Sequence, residues 1–253
     1  MFKNKKHSPF KRLRKKLYFR FLDFFSDELY EYGLKDSMFL SIKEMKKRGF
    51  LPETVIDVGA YTGGWTSQVI EYFPDAKFIM CEAQPDKKTY LEKVKNKRPS
   101  QIEYHIGLLG STEKENVPYY LMETGSSVLE ENTDYDRELI QLPMRTLDKL
   151  IDLKKIETPC FLKLDVQGYE IEVLKGAAAL LSKVDIILLE VRILEYNKGA
   201  PLIAEILSFM DNAGFSTFDI TDLKRTSGEH ALFQADIFFC RHDHPFMTIT
   251  KFS

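Results

Sequence analysis

The run TVIDVGAYTGGW at residues 54–65 constrains this chain more than any other stretch. It reads as a short strand buried on both faces, a glycine-rich turn, and the first turn of a helix. Gly59, Gly63 and Gly64 allow a tight turn and a close approach of backbone to a ligand. The helix that starts near Trp65 offers its free N–H groups to the same place. Strand, glycine turn and helix in this order form the ligand-binding end of a doubly wound α/β sheet. A strand–turn–helix with a purely structural role is the competing reading.

The rest of the chain repeats that alternation. Apolar, strand-like runs lie at residues 77–82, 102–106, 160–165 and 184–191, with helical patterns between them. Residues 36–48 read as a helix with Asp36 as its cap, residues 85–97 as another, and residues 201–212 as one closed by Gly214. The pattern following Gly168 predicts a continuous helix to residue 181. Residues 117–122 and 139–145 break the alternation as a hairpin insertion, whose loop is a candidate lid or acceptor-binding segment or a plain solvated loop. Residues 215–220 and 236–241 are the last two strands, joined across a polar loop at residues 222–229. The expected sheet has seven strands in the order 3-2-1-4-5-7-6, mostly parallel, with the last strand antiparallel and helices on both faces.

At 253 residues the chain suffices for one large domain. We divide it into a basic N-terminal helical extension at 1–50, a core domain at 51–245 and a tail at 246–253. The net charge of −2 hides an asymmetry, since residues 1–20 hold nine cations and no acid precedes Asp23. Phe10, Leu13, Leu17, Phe21, Leu22 and Phe25 recur between those cations at helical spacing. Residues 10–25 therefore read either as an accessory helix packed on the domain or as a peripheral contact with an anionic membrane. The charge comes with no nucleic-acid-binding signature, so no nucleic-acid partner is expected. Cys81, Cys160 and Cys240 each sit in an apolar run and read as buried thiols in a reducing compartment. With no membrane-length apolar run and no signal peptide, a cytoplasmic location is expected.

Taken together, IDVGAYTG at 56–63, CEAQP at 81–85, IGL at 106–108, GSS at 125–127, RTLD at 145–148, LKLDVQGYE at 162–170, VLKG at 173–176 and QAD at 234–236 resemble the FkbM family of S-adenosylmethionine-dependent methyltransferases. The resemblance spans roughly residues 50–243. This chain has Tyr61, Ala83 and Gln167 where the family usually or often shows Asn, Pro and Glu. The resemblance implies a Rossmann-like class I methyltransferase fold, S-adenosyl-L-methionine as cofactor, and O-methylation of a hydroxyl on a sugar, polyketide or related secondary metabolite. A small-molecule or glycan acceptor is the implied partner. The glycines spell G-x-x-x-G-G and not G-x-G-x-x-G, which counts against a nicotinamide dehydrogenase. A non-catalytic binding module anchored by its basic N-terminus is the third reading.

On that resemblance, Gly59, Tyr61, Gly63 and Ala83 flank the cofactor. Asp57 would take its ammonium, directly or through water. Glu82, about 25 positions after Asp57, would hold the ribose hydroxyls. Gly107 and Leu108 would lie against the adenine. Asp165, at a strand end facing the crevice, is the first candidate for a general base, against a cofactor contact or helix cap; His105 is the second. Ser126 and Ser127 would bind acceptor or shape their loop. Glu190 would bind acceptor or pair with Arg145 or Arg192. Lys163 and Glu170 are a candidate structural pair, and Gln234 and Asp236 read as structural. His242 and His244 lack a third ligand, so no metal is expected.

Overall fold

A computed structural model of the chain describes residues 37–248. The basic segment at residues 10–25 lies outside the described residues, as does Asp36. Among the described residues no helix is long and apolar enough to cross a membrane.

The central sheet is built from β1 (Thr54–Val58), β2 (Lys77–Glu82), β3 (Ile102–Ile106), β7 (Cys160–Leu164), β8 (Ile186–Arg192), β9 (Phe215–Arg225) and β10 (Leu232–Arg241). Their order is β3-β2-β1-β7-β8-β10-β9, which is the expected 3-2-1-4-5-7-6. β10 is antiparallel to both β8 and β9, while the other pairings are parallel. Every residue of β1, β7 and β8 is buried, as a strand covered on both faces requires.

Alternate side chains feed two cores. Ile56, Leu162, Leu164, Ile187 and Leu189 face one layer, and Val55, Phe161, Ile186 and Leu188 face the other. Each such side chain contributes about 1.5–3 kcal/mol on burial. The first layer includes α5 (Glu170–Lys175), α6 (Ala178–Leu181) and α7 (Ile203–Asn212); the second includes α1 (Met38–Lys47), α2 (Gly64–Tyr72) and α3 (Lys88–Lys95). A short α4 (Leu147–Leu150) places Leu147 in the first layer.

The insertion is a second sheet in the order β4-β6-β5, made of β4 (Leu108–Leu109), β5 (Lys114–Leu121) and β6 (Glu138–Arg145). Leu108, Val117, Tyr119 and Met144 form its small core.

Several local expectations are corrected. The helix after Gly168 is two short helices, interrupted at Gly176. Residues 85–87 are a 3-10 turn leading into α3, which ends at Lys95. β9 and β10 run further than their apolar stretches, pairing Arg225 with Leu232, so only about residues 226–231 turn between them. β9 is an edge strand with solvent on one side, and its polar Thr221, Asp222 and Lys224 gave it a loop-like composition. The start of α1 is capped from β9: the Met38 N–H donates to Asp222 Oδ2 at 2.7 Å, and Ser41 Oγ donates to Asp219 Oδ2 at 2.6 Å.

Candidate active site

The C-terminal ends of β1, β2 and β7 open into a hollow roofed by the β5–β6 insertion. Its cavity volume is about 100 Å³. Crevices at strand ends of this kind are where open α/β sheets hold ligands.

The floor rests on one close approach. Gly59 has φ +76°, and a Cβ there would lie 1.9 Å from the Asp165 carbonyl oxygen, so only glycine lets the ends of β1 and β7 meet. Gly63, also left-handed, serves packing instead: a Cβ there would press on Val94 and Met80, and Gly63 does not line the hollow.

Glu82 ends β2 and is 4% exposed. Its Oε2 accepts the Tyr61 N–H at 2.6 Å and its Oε1 the Gln84 N–H at 2.9 Å. Burial raises its carboxyl above the usual range, while those N–H groups and the Lys163 charge oppose the rise. Each oxygen keeps a lone pair, and Glu82 lines the hollow.

Asp57 does not line it. It is 1% exposed, with Oδ2 accepting from Thr66 Oγ1 at 2.7 Å and Oδ1 from Lys163 Nζ at 3.0 Å. Lys163 also donates to the Gly59 carbonyl at 3.1 Å. Burial works against the Lys163 ammonium, yet Asp57 and then Asp165 hold its pKa up at about 12. Asp57 thus fastens the strand ends beneath the hollow. Lys163 pairs with Asp57 and not with Glu170, whose buried carboxyl accepts the Val166 and Gly168 N–H groups at 3.1 and 3.2 Å. Burial pushes Glu170 up to about 7.

Tyr61, Ala83, Gly107, Leu108, Ser126 and Asp165 all line the hollow. The Ser126 hydroxyl is committed to its own loop, accepting the Met122 N–H at 2.8 Å and donating to the Glu123 carbonyl at 3.0 Å. Ser127 and Glu190 lie behind the wall. Ser127 Oγ donates to the Gln167 carbonyl at 2.9 Å. Glu190 meets Arg192 at 3.0 Å and Lys224 at 3.4 Å, and accepts from Gln234, so of the two candidate arginines Arg192 is its partner. Arg145 pairs with Glu113 and Glu115 instead. His105 faces Glu103 on β3, outside the hollow. His242 faces Asp211, while His244 Nδ1 accepts the Phe246 N–H at 3.1 Å.

Sequence reasoning missed part of the lining. Gln84, Tyr119, Glu123, Gln167 and Tyr169 all reach the hollow. The period-two alternation of Val117, Tyr119 and Leu121 marks Tyr119 as inward-facing. Glu123 carries no such signal, because it sits at φ +48° in a 3-10 turn. It closes the roof: Tyr61 Oη donates to its carboxylate, Lys87 Nζ lies 3.3 Å from it, and Gln84 Nε2 donates to its carbonyl at 3.0 Å. Lys87 also lies 4.7 Å from the centroid of the Tyr61 ring.

The Methyltransferase FkbM domain model matches residues 57–217, more than half of the chain. No curated protein matches it. Among solved structures, the FkbM methyltransferase of Methylobacillus flagellatus is 16% identical with a TM-score of 0.45, covering 73% of this chain and 43% of that one. This chain thus spans less than half of that protein. Magnesium protoporphyrin IX methyltransferase of Synechocystis, solved with bound SAM, is 12% identical at a TM-score of 0.44, covering 79% and 76%. A putative tRNA (m1A22) methyltransferase of Streptococcus pneumoniae is 10% identical at 0.46, covering 86% and 72%. These structural likenesses are too distant to inform the site. The matched region, however, begins at Asp57 near the end of β1, carries β2 and β7 with the crevice at these strand ends, and runs into β9, and on that match the chain belongs to the FkbM methyltransferase family.

Proposed function

We propose that this chain transfers a methyl group from S-adenosyl-L-methionine to a hydroxyl of a small-molecule or glycan acceptor, such as a sugar or polyketide. The observation that carries the reading is the charge of the lining. Glu82, Glu123 and Asp165 are its carboxyl groups, and among the described residues no lysine, arginine or histidine lines it. An acid-only lining suits a ligand with a positive sulfonium and ammonium, and it disfavours an anionic acceptor.

The residues present fit the cofactor. Glu82 would hold the two ribose hydroxyls with its remaining lone pairs. Gly107 and Leu108 offer a flat wall for the base, with Leu109 and Tyr119 beside them. The Gly59 backbone lets the ligand approach the strand ends. When bound, the cofactor supplies a methyl group activated by the sulfonium, which departs as a neutral thioether.

The chain's own residues then position the acceptor and take its proton. The Asp165 side chain is 37% exposed; its Oδ1 accepts from Gln167 Nε2, and its Oδ2 has Lys163 Nζ at 3.8 Å. That oxygen takes the proton released as the acceptor oxygen bonds to the methyl carbon. Positioning contributes most, because the methyl group arrives activated.

Calorimetry with S-adenosyl-L-methionine, S-adenosylhomocysteine and NAD tests the reading. Binding of the first two without NAD is expected, followed by transfer of labelled methyl to a neutral polyol from an acceptor panel. Binding of NAD alone would overturn it.

A further inference from the structure

Gln167 has a backbone that few side-chain-bearing residues adopt, with φ +57°. The turn is imposed by its neighbours: Glu170 accepts the N–H groups on either side of Gln167, and Ser127 Oγ donates to its carbonyl. A non-glycine residue held in this region stores strain, and such positions cluster where a side chain is needed.

The side chain is fully committed. Nε2 donates one N–H to Asp165 Oδ1 at 2.7 Å and the other to Glu190 Oε1 at 2.8 Å, while Oε1 accepts from an Arg192 guanidinium nitrogen. Glu190 is 8% exposed and Arg192 3% exposed, so the far end is anchored in a buried network that also takes in Gln234. One primary amide therefore joins a pocket-lining carboxylate to a buried one. The two N–H donors on its one nitrogen serve both carboxylates at once.

We propose that Gln167 is the positioning residue of the transfer site, clamping Asp165 by Oδ1 and leaving Oδ2 to face the acceptor. This rests on the reading of Asp165 as the proton acceptor, but the clamp itself can be measured without cofactor. Around the two carboxylates stand Lys163 on β7, Arg192 on β8, Lys224 and Asp222 on β9, Asp236 on β10 and Glu170 on α5. Gln167→Met keeps the length of the side chain and removes both donors. Gln167→Glu keeps its shape, gains a charge for Arg192, and sets a third negative charge against Asp165 and Glu190.

The test is a carboxyl NMR titration of the full chain labelled with carboxyl-¹³C aspartate, with the Asp165 signal identified by its absence in Asp165→Asn. Relative to the unsubstituted chain, Gln167→Glu moves the Asp165 titration to higher pH, because a neighbouring like charge disfavours the ionised carboxylate. Gln167→Met moves it the same way by less. In turnover, both lower kcat and shift the acid limb of its pH profile upward, while affinity for S-adenosylhomocysteine changes less than about threefold. Coincident titrations in the unsubstituted chain and Gln167→Met overturn the clamp, and that variant decides alone if Gln167→Glu does not fold. Loss of S-adenosylhomocysteine affinity in step with kcat also overturns it, by making Gln167 a cofactor contact. Failure of the unsubstituted chain to bind either ligand overturns the methyl-transfer reading and leaves the titration result standing.

Discussion

Floor and roof of the hollow hold opposite charges together in very different surroundings. In the floor, Lys163 is 8% exposed and Asp57 1%, the pair sits between two fully buried strands, and Thr66 takes the remaining carboxylate oxygen. In the roof, Glu123 is 76% exposed, and its ties to Tyr61 and Lys87 cross from a hairpin turn to the loops after β1 and β2. Water screens the second set and hardly reaches the first. A buried pair tolerates no loss of one partner, whereas an exposed pair contributes little to stability and is free to open. The floor is thus the fixed part of the hollow, and the roof is the part free to open.

The largest expected effect breaks the floor. Lys163→Met leaves Asp57 buried without its cation and should destabilise the fold by about 3–5 kcal/mol, read by chemical denaturation. Adding Asp57→Asn should recover most of that loss, because no charge is then left uncompensated. A single-variant loss under about 1 kcal/mol would place the pair in the same class as the roof and remove the distinction. Next comes Glu82→Ala, which keeps the floor but removes its ligand-facing carboxylate. Affinity for S-adenosyl-L-methionine should fall by about 1–3 kcal/mol, seen by calorimetry on the folded variant. Unaltered affinity would show that the ribose lies elsewhere.

How far the floor could be read from the sequence depends on which contacts are local. Glu82 was legible because a carboxylate at the end of the second strand follows the glycine turn by a characteristic spacing. Arg192 was only one of two arginines offered to Glu190, beside acceptor binding; the strand itself selects it, since residues two apart share a face. The fate of Asp57 was not legible. Its neighbour is set by the register of β1 against β7, which aligns Asp57 with Lys163 across about a hundred residues of chain. Parity puts both on the face of Val55 and Phe161, beneath α2, and that choice of face brings the carboxylate to Thr66 of the helix. The strands were legible because buried strands leave uninterrupted apolar runs, and their order because the closing hairpin matches a methyltransferase type of sheet. The roof was legible only as an insertion, because a 3-10 turn bearing Glu123 has no periodic signature.

Opposite responses to pH sharpen the comparison. Asp236, on β10 opposite Glu190 and Thr221, is pushed up to about 8 by burial and then by the charge of Glu190. Unfolded, an aspartate titrates near 4. Between about pH 4 and pH 8 the folded chain therefore keeps a proton that the unfolded chain releases, and stability falls as pH rises through that window. The slope from this group is at most about 1.4 kcal/mol per pH unit, and Asp236→Asn should flatten the stability profile there. Glu123 runs the other way: Tyr61 first and Lys87 next hold its carboxyl below the usual range, so what it contributes is present near neutral pH and lost as pH falls.

The smallest effect on stability comes from cutting the roof strap itself. Glu123→Ala removes an exposed, water-screened carboxylate, so the unfolding transition should hardly move. The same substitution releases the Tyr61 hydroxyl and the Lys87 ammonium from the hairpin, leaving the Gln84 amide as the remaining side-chain tie to that turn. Bound S-adenosylhomocysteine should then dissociate several-fold faster in stopped-flow measurements, and raising the salt should speed release from the unsubstituted chain more than from the variant, since the screened tie is already gone. An unchanged dissociation rate would mean that ligand leaves past Asp165 and Gln167 instead, and that the roof is as fixed as the floor.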